Sequence, residues 1–282
     1  MRDIQREIIR ALSRENLTDD PIRLLRTYRF AGEFGWRIDS RTRIFIRELK
    51  ESLKLSSFER ITLEFLKLLN SKNHLKALKL SYADGLLNIF LAIDSRDLLI
   101  NIKALSRFKS FLEKIPNAYF PSLERTISQG LSHAGLLRAE VILFKARLEE
   151  SRLRLSNAIL KRLKITSMLL DEFQKAKSAR RQQLFDLFYA SGVTVLDFAL
   201  LTRNKKILHE AMRFVNMSSL LPTEEIMNLT GVKGGAELGS FLKEMKRMQF
   251  LGKIAQRGDA LRFFSTGPTC LETFKKPMGS LG

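Results

Sequence analysis

The 282-residue chain has one cysteine, Cys270, and three scattered histidines, His74, His133 and His209. One thiol excludes an intrachain disulfide framework and any cysteine-based metal cage, and the histidines set no ligand spacing. There is no run of about 18 apolar residues to read as a membrane-spanning helix. The first ten residues, MRDIQREIIR, alternate charge with apolar residues and lack the apolar stretch of a secretory signal. A cytoplasmic location away from membranes is therefore expected. Six prolines and a shortage of Thr/Val runs disfavour an all-β fold. Hydrophobic residues at 45% and charged residues at 28% exclude a wholly disordered protein.

Acidic residues are in the minority: 49 Lys plus Arg face 30 Asp plus Glu, for a net charge of +19. A folded chain this basic is expected to meet a polyanion. An anionic membrane is disfavoured, because no amphipathic segment combines a strongly basic face with a Trp/Phe anchor. The alternative is a helical protein–protein scaffold whose charge is incidental.

Nearly every segment repeats at the helical period. Ile61, Phe65 and Leu68 form one stripe in 59–69. Leu137, Val141, Phe144 and Leu148 form another in 136–148, and Ile159, Leu163 and Leu170 a third in 157–170. Leu184, Phe185 and Phe188 share a face in 181–190, and Leu238, Phe241, Leu242, Met245 and Met248 line 238–250. The pattern predicts an all-α, elongated multi-helix array. Its parts are a first at 15–92, a second at 93–215 and a third at 216–264, preceded by residues 1–14 and followed by a flexible C-terminus at 265–282.

The most informative stretch is 17–38, LTDDPIRLLRTYRFAGEFGWRI. Thr18, Asp19 or Asp20 can cap a helix whose first position is Pro21. Arg23, Arg26 and Arg29 then recur at i, i+3, i+6 along one side. Leu24, Leu25 and Tyr28 face elsewhere and can pack. Asp20, one turn before Arg23, makes a planar acceptor beside a planar donor. Adenine and cytosine both present an exocyclic amine next to a bare ring nitrogen. A carboxylate accepts from the amine and an arginine donates to the nitrogen. Guanine and uracil reverse both groups, and each such contact discriminates by roughly 1–3 kcal/mol. Arg26 and Arg29 could hold phosphate oxygens. The competing reading is a capped helix whose arginines are solvated or pair with Glu33 and Asp39.

These residues resemble a known family. DDPIRLLRTYRFA followed by GWRID is similar to the neck of the bacterial class II tRNA nucleotidyltransferases and poly(A) polymerases, the CCA-adding enzyme family. DIQREIIR resembles the last motif of that family's head domain, and FERITLEFLKLL at 58–69 its next neck helices. SNAILKRLKI at 156–165 and ARRQQLFDLF at 179–188 resemble the body. PTEEIMNLTGVKGGAELGSFL, through Gly252-Lys253-Ile254, resembles the tail. The likeness covers about 1–260. It implies a body and tail that grip tRNA, and a neck in which Asp20 and Arg23 template incoming CTP or ATP. Arg26 and Arg29 match further nucleotide-binding arginines, and Asp19 stands where the family usually has Glu. Gly234-Gly235 stands where Gly-Pro is common. Lys161, Arg162, Lys164, Arg180, Arg181 and Lys233 are the candidate RNA contacts.

The family's phosphoryl transfer uses two metals held by clustered carboxylates, which lie in a head domain as Asp-x-Asp after a glycine-rich motif. This sequence has no Asp-x-Asp and no glycine-rich loop before residue 230. The residues begin where the catalytic head should end, so no catalytic or metal-ligating residue is expected here. Mg²⁺ is expected only with a head, whether encoded just upstream or supplied as a separate chain. The alternative is a stand-alone helical RNA-binding protein or subunit without catalysis. No His-Asp dipeptide occurs, which argues against a metal phosphohydrolase domain. Two lesser signals remain open. The 231–235 turn can meet a phosphate or be an ordinary turn, and Trp36 can stack on a base or close a helix end.

Overall fold

The computed structural model describes residues 2–115, 126–175 and 180–265. Cys270 and all but the first residue of the tail read as flexible lie outside the described residues. Two compact units divide the chain. One runs to Asp171 and takes in Leu200–Arg203, and the other holds Glu172–Ala199 and the residues from Asn204 onward.

The first unit opens with α1 (Arg2–Gln5), β1 (Ile8–Ile9), α2 (Arg14–Asp19) and α3 (Ile22–Phe34). Next come β2 (Arg37–Ile38), α4 (Ser40–Leu49), a 3-10 helix (Lys50–Leu55) and α5 (Phe58–Asn70). After these come α6 (His74–Ala83), α7 (Leu87–Phe90) and α8 (Ser95–Leu112). β3 (Thr126–Ser128), β4 (Leu131–Ser132) and α9 (His133–Ile142) lead to α10 (Asn157–Lys175). β1 and β2 pair in parallel, Ile8 opposite Arg37 and Ile9 opposite Ile38, and β3 and β4 form a small hairpin. Among the described residues these are the only strands, so the fold is all-α as the periodicity requires.

Leu24, Leu25, Tyr28 and Ala31 of α3 are fully buried, and α3 packs chiefly on α5 and α6. Ile61, Phe65 and Leu68 of α5 meet it with no exposed surface. Gly32 permits this approach, since a Cβ there would collide with Ser71 Oγ. Gly35 ends α3 at φ +78°, its N–H donating to Ala31 O at 3.0 Å. A residue with a side chain is strained there.

A buried carboxylate ties this unit together. Asp84, in the turn after α6, accepts from Tyr28 Oη at 2.7 Å, from Arg43 Nε and Nη2 at 2.7 and 2.8 Å, and from Arg47 Nη1 at 3.2 Å. Burial pushes the Asp84 carboxyl up. Hydrogen bonds from Arg43 and Tyr28 and the charges of Arg43 and Arg47 outweigh it, holding the group below the usual carboxylate range.

The helix expected across 136–148 is shorter. α9 stops at Ile142, and Lys145 takes φ +64°. Asn101 of α8 donates its side-chain amide to the Ile142 and Phe144 carbonyls at 3.1 and 2.8 Å. That contact satisfies the helix end from outside, which periodicity does not reveal.

The second unit holds α11 (Arg181–Ser191), a 3-10 turn (Gly192–Thr194), α12 (Val195–Leu201) up to Ala199, and α13 (Lys205–Asn216). α14 (Thr223–Thr230), α15 (Gly235–Phe250) and α16 (Arg257–Ser265) complete it. Phe185, Phe188, Phe214 and Phe250 pack with ring centroids 5.6 to 6.0 Å apart. Such pairs add about 0.5–1.5 kcal/mol each beyond their area. A second cluster joins Leu221, Ile226, Met245, Ile254, Ala260 and Phe264, with Leu238, Phe241, Leu242 and Met248 packed around it.

Candidate functional site

Asp20 lies where α2 meets α3. The expected side-chain cap at the start of α3 is not formed there: Thr18 and Asp19 belong to the last turn of α2. The main-chain carbonyls of Asp20 and Pro21 accept from Arg23 N and Leu24 N, each at 3.0 Å. Pro21 thus takes the cap position, one residue before the first helical position expected for it, and the Asp20 carboxylate is released from capping. It lies 3.5 Å from Arg23 Nε and 3.0 Å from Arg60 Nη2. Arg23 also donates through Nη1 to Asn16 O at 3.1 Å. Carboxylate and guanidinium are thus held side by side and remain partly open to solvent, with side-chain exposures of 24% and 39%. A pair this exposed contributes at most about 1 kcal/mol to stability.

The arginine row continues, but its members differ. Arg29 places its guanidinium 2.6 Å from both Glu33 and Glu64 and is mostly buried. It lies 3.8 Å from the Phe30 ring centroid, and Arg26 lies 5.7 Å from the same centroid. The pairing with Glu33 foreseen in the competing reading is present; Asp39 instead faces Arg10 at 3.5 Å. Arg29 is thus matched by two carboxylates, while Arg26 has no carboxylate partner among the described residues. Asp19 is exposed. Phe30 stacks on Phe34 at 5.8 Å, and Phe34 meets Trp36 at 5.2 Å. Phe34 is half exposed and Trp36 half-buried.

Two residues of this site escaped the reading by periodicity: Arg60, which holds Asp20, and Glu64, which holds Arg29. Both lie on α5. Glu64 carried a usable signal, since it falls among Ile61, Phe65 and Leu68 on the buried stripe. A carboxylate on such a stripe requires a cation from a neighbouring element.

The six RNA candidates separate by environment. Lys161 and Lys164 of α10 are exposed, and so are Arg180 and Lys233 of the second unit. Arg181 pairs with Glu210 at 3.5 Å and lies 5.5 Å from the Phe250 centroid. Arg162 departs from the expected solvent face: it turns inward, with Nε 3.9 Å from Glu140. Glu140 is enclosed and accepts from Thr166 Oγ1 at 3.0 Å, while its Oε2 has no hydrogen-bond partner among the described residues. Burial pushes its carboxyl up to about 7, against the opposing pull of Arg162 and Thr166. A raised carboxyl favours the folded state at low pH, and that advantage disappears as pH rises from about 4.5 to about 7. Glu140→Gln is therefore expected to raise unfolding free energy by about 1–3 kcal/mol at pH 8 and to change little at pH 4.5. Urea melts at the two pH values check this; an equal effect at both would remove burial of the charge as its cause.

Among the described residues, no three His, Cys, Asp or Glu side chains come together to hold a metal. These residues do not fit the two-metal centre that the resemblance implies for a head.

A family model described as "Probable RNA and SrmB- binding site of polymerase A" matches residues 35–94. Over 93% of its length, the chain is 24% identical to a CC-adding tRNA nucleotidyltransferase of Synechocystis sp., covering 67% of that protein. A CCA-adding enzyme of Thermotoga maritima, solved in complex with tRNA, superposes with a TM-score of 0.69 at 18% identity, over 97% of this chain and 66% of that one. A CCA-adding enzyme solved with CTP gives 0.69 at 18% identity, over 100% and 66%. The likeness to the solved structures shows a common fold, and the chain spans about two thirds of the length of these relatives. The family segment at 35–94, the sequence match along nearly the whole chain and the shared helical fold point the same way: the chain is similar to tRNA nucleotidyltransferases over most of its length.

Proposed function

We propose that this chain is the RNA-binding and nucleotide-recognition part of a tRNA nucleotidyltransferase acting at the tRNA 3′ end. Asp20 and Arg23 read the Watson–Crick edge of CTP or ATP, and the basic surface holds tRNA. The observation that carries the reading is the side-by-side Asp20 carboxylate and Arg23 guanidinium, 3.5 Å apart and partly open to solvent. Arg60 holds the carboxylate from behind, and Arg26 is the least committed cation along α3. Asp19 adds negative charge at the same junction. Arg29, already matched by Glu33 and Glu64, positions α3 on α5 rather than holding phosphate. Phosphoryl transfer and its Mg²⁺ belong to a head domain, in the same polypeptide or as a partner chain.

Two measurements test this. The 282-residue chain alone, with Mg²⁺, ATP and CTP, is expected to incorporate no labelled nucleotide into tRNA. Incorporation by the pure chain would place a metal site among these residues and overturn that division of labour. The same chain is expected to bind tRNA with log K falling linearly in log salt, at about −0.7 to −0.9 per phosphate contact. Residues 141–180 supply ten Lys/Arg against four Asp/Glu for such contacts. Structured tRNA should bind more tightly than a single strand of equal length, and a flat salt dependence would rule out the tRNA grip.

A further inference from the structure

Besides the template pair, two arginines converge on one aromatic ring at the start of α5. Phe58, the first residue of α5, carries two guanidinium groups: Arg152 with its carbon 4.4 Å from the ring centroid and Arg154 at 4.7 Å. Both arginines come from 151–156, a segment held in place through its backbone. Arg152 N donates to Phe90 O at 2.9 Å, and Arg154 N donates to Thr62 Oγ1 at 2.7 Å. The Arg154 carbonyl accepts from Gln129 Nε2 at 3.0 Å. Arg152 Nη2 also donates to Lys54 O at 2.5 Å.

The neighbouring cations are matched, since Lys54 pairs with Glu51 at 2.6 Å and Arg60 with Asp20. Arg152 and Arg154 are not: neither has a carboxylate partner among the described residues. Glu59, adjacent to Phe58, is exposed and pairs with neither. Because both groups lie over one ring, their charges are within about 9 Å of each other, and like charges so placed repel. The ring offsets part of that repulsion by cation–π attraction and fixes both forks. Arg152 spends Nη2 on the Lys54 carbonyl and its Nε is buried, so the exposed Arg154 is the fork left open to a bidentate phosphate contact.

We infer that Phe58, Arg152 and Arg154 form a pre-organised clamp for the phosphodiester backbone of bound RNA. This rests on the RNA-binding reading and adds a contact site to it. The clamp lies on the same first turn of α5 that carries Arg60. It therefore places a backbone contact two residues along α5 from the side chain that holds Asp20.

The test uses the full 282-residue chain, tRNA and, separately, CTP and ATP. Arg154 is exposed and, apart from the Phe58 ring, its contacts to other elements run through its backbone, so Arg154→Ala should shift the melting curve little. It is expected to weaken tRNA binding about three- to tenfold near 0.15 M salt and to reduce the salt slope by about 0.7–0.9. Arg154→Lys should keep the slope and still lose affinity, because an ammonium lacks the stacked fork. Phe58→Leu should behave like the lysine variant. If the unaltered chain binds tRNA in a salt-dependent way but Arg154→Ala and Arg152→Ala bind equally well, the clamp is wrong and the wider reading stands. If the unaltered chain does not bind tRNA, the wider reading falls first. Loss of CTP or ATP binding in Arg154→Ala with tRNA binding intact would assign the clamp to a triphosphate and overturn the RNA assignment.

Discussion

Asp84→Ala is expected to destabilise the first unit by about 3–5 kcal/mol, the cost of breaking a buried ion pair by removing one partner. The substitution leaves Arg43, Arg47 and the Tyr28 hydroxyl without their shared acceptor. Tyr28 is fully buried, so water cannot readily replace the bond. Arg47→Ala should cost about 1 kcal/mol or less, because Arg47 is half exposed and its 3.2 Å contact is the longest of the set. The pH dependence follows from the depressed carboxyl. A group whose folded pKa lies below its unfolded value stabilises fully above the unfolded value, and that contribution is lost as pH falls through the folded one. The difference between native protein and Asp84→Ala should thus be constant above about pH 5 and shrink below about pH 4. Denaturant melts followed by tyrosine and tryptophan signals measure this. Trp36 lies in the first unit, so its transition reports that unit. A change under 1 kcal/mol at neutral pH would show that Asp84 is not the tie between α3, α4 and the turn after α6.

The second large effect concerns base choice. With a catalytic head supplied, Asp20→Ala is expected to relax the exclusion of UTP and GTP by about 1–3 kcal/mol, roughly 5- to 150-fold in the ratio of kcat/KM values. The carboxylate that accepts from the amine of cytosine or adenine also repels a carbonyl in that position. Arg23→Ala should act differently, lowering incorporation of CTP and ATP together, because the donor to the ring nitrogen is gone. Arg60→Ala should fall between native protein and Asp20→Ala, since Asp20 keeps Arg23 at 3.5 Å but loses its 3.0 Å support. Single-nucleotide incorporation with each of the four triphosphates reads all three variants. Unchanged ratios in Asp20→Ala would end the template assignment while leaving the similarity to tRNA nucleotidyltransferases untouched.

The site was partly legible because its residues are close in sequence. Asp20 and Arg23 are one helical turn apart, and that spacing alone brings their side chains together once a helix begins just after Pro21. The same local logic erred about the cap. It assigned the orphan N–H groups of α3 to an Asp or Thr side chain, whereas α2 runs directly into the turn and the start of α3 is made by main-chain carbonyls. In the sequence, Arg26 and Arg29 both read as possible phosphate contacts. Helical spacing put Arg23, Arg26 and Arg29 on one side, but it could not say that Glu64, 35 positions after Arg29, would rise from α5 to take one of them. Arg162 fails for a similar reason. Its neighbours Lys161 and Lys164 face solvent, and one step round the helix turns Arg162 toward a buried carboxylate on α9.

The sequence by itself determined the helical class, the buried faces of α3, α5, α11 and α15, the excess of positive charge and the adjacency of Asp20 to Arg23. These follow from composition and from a period of 3.6 residues, both of which are local. Only the tertiary structure decided which charges are spent on the fold and which stay available. Arg43, Arg47, Arg29 and Arg162 are drawn to carboxylates on other elements, and Arg152 and Arg154 are laid on Phe58, more than 90 residues earlier. A side chain's charge is written in the sequence. Its partner is chosen by which helices pack together, and that choice rests on long-range burial of apolar surface, which no local window contains.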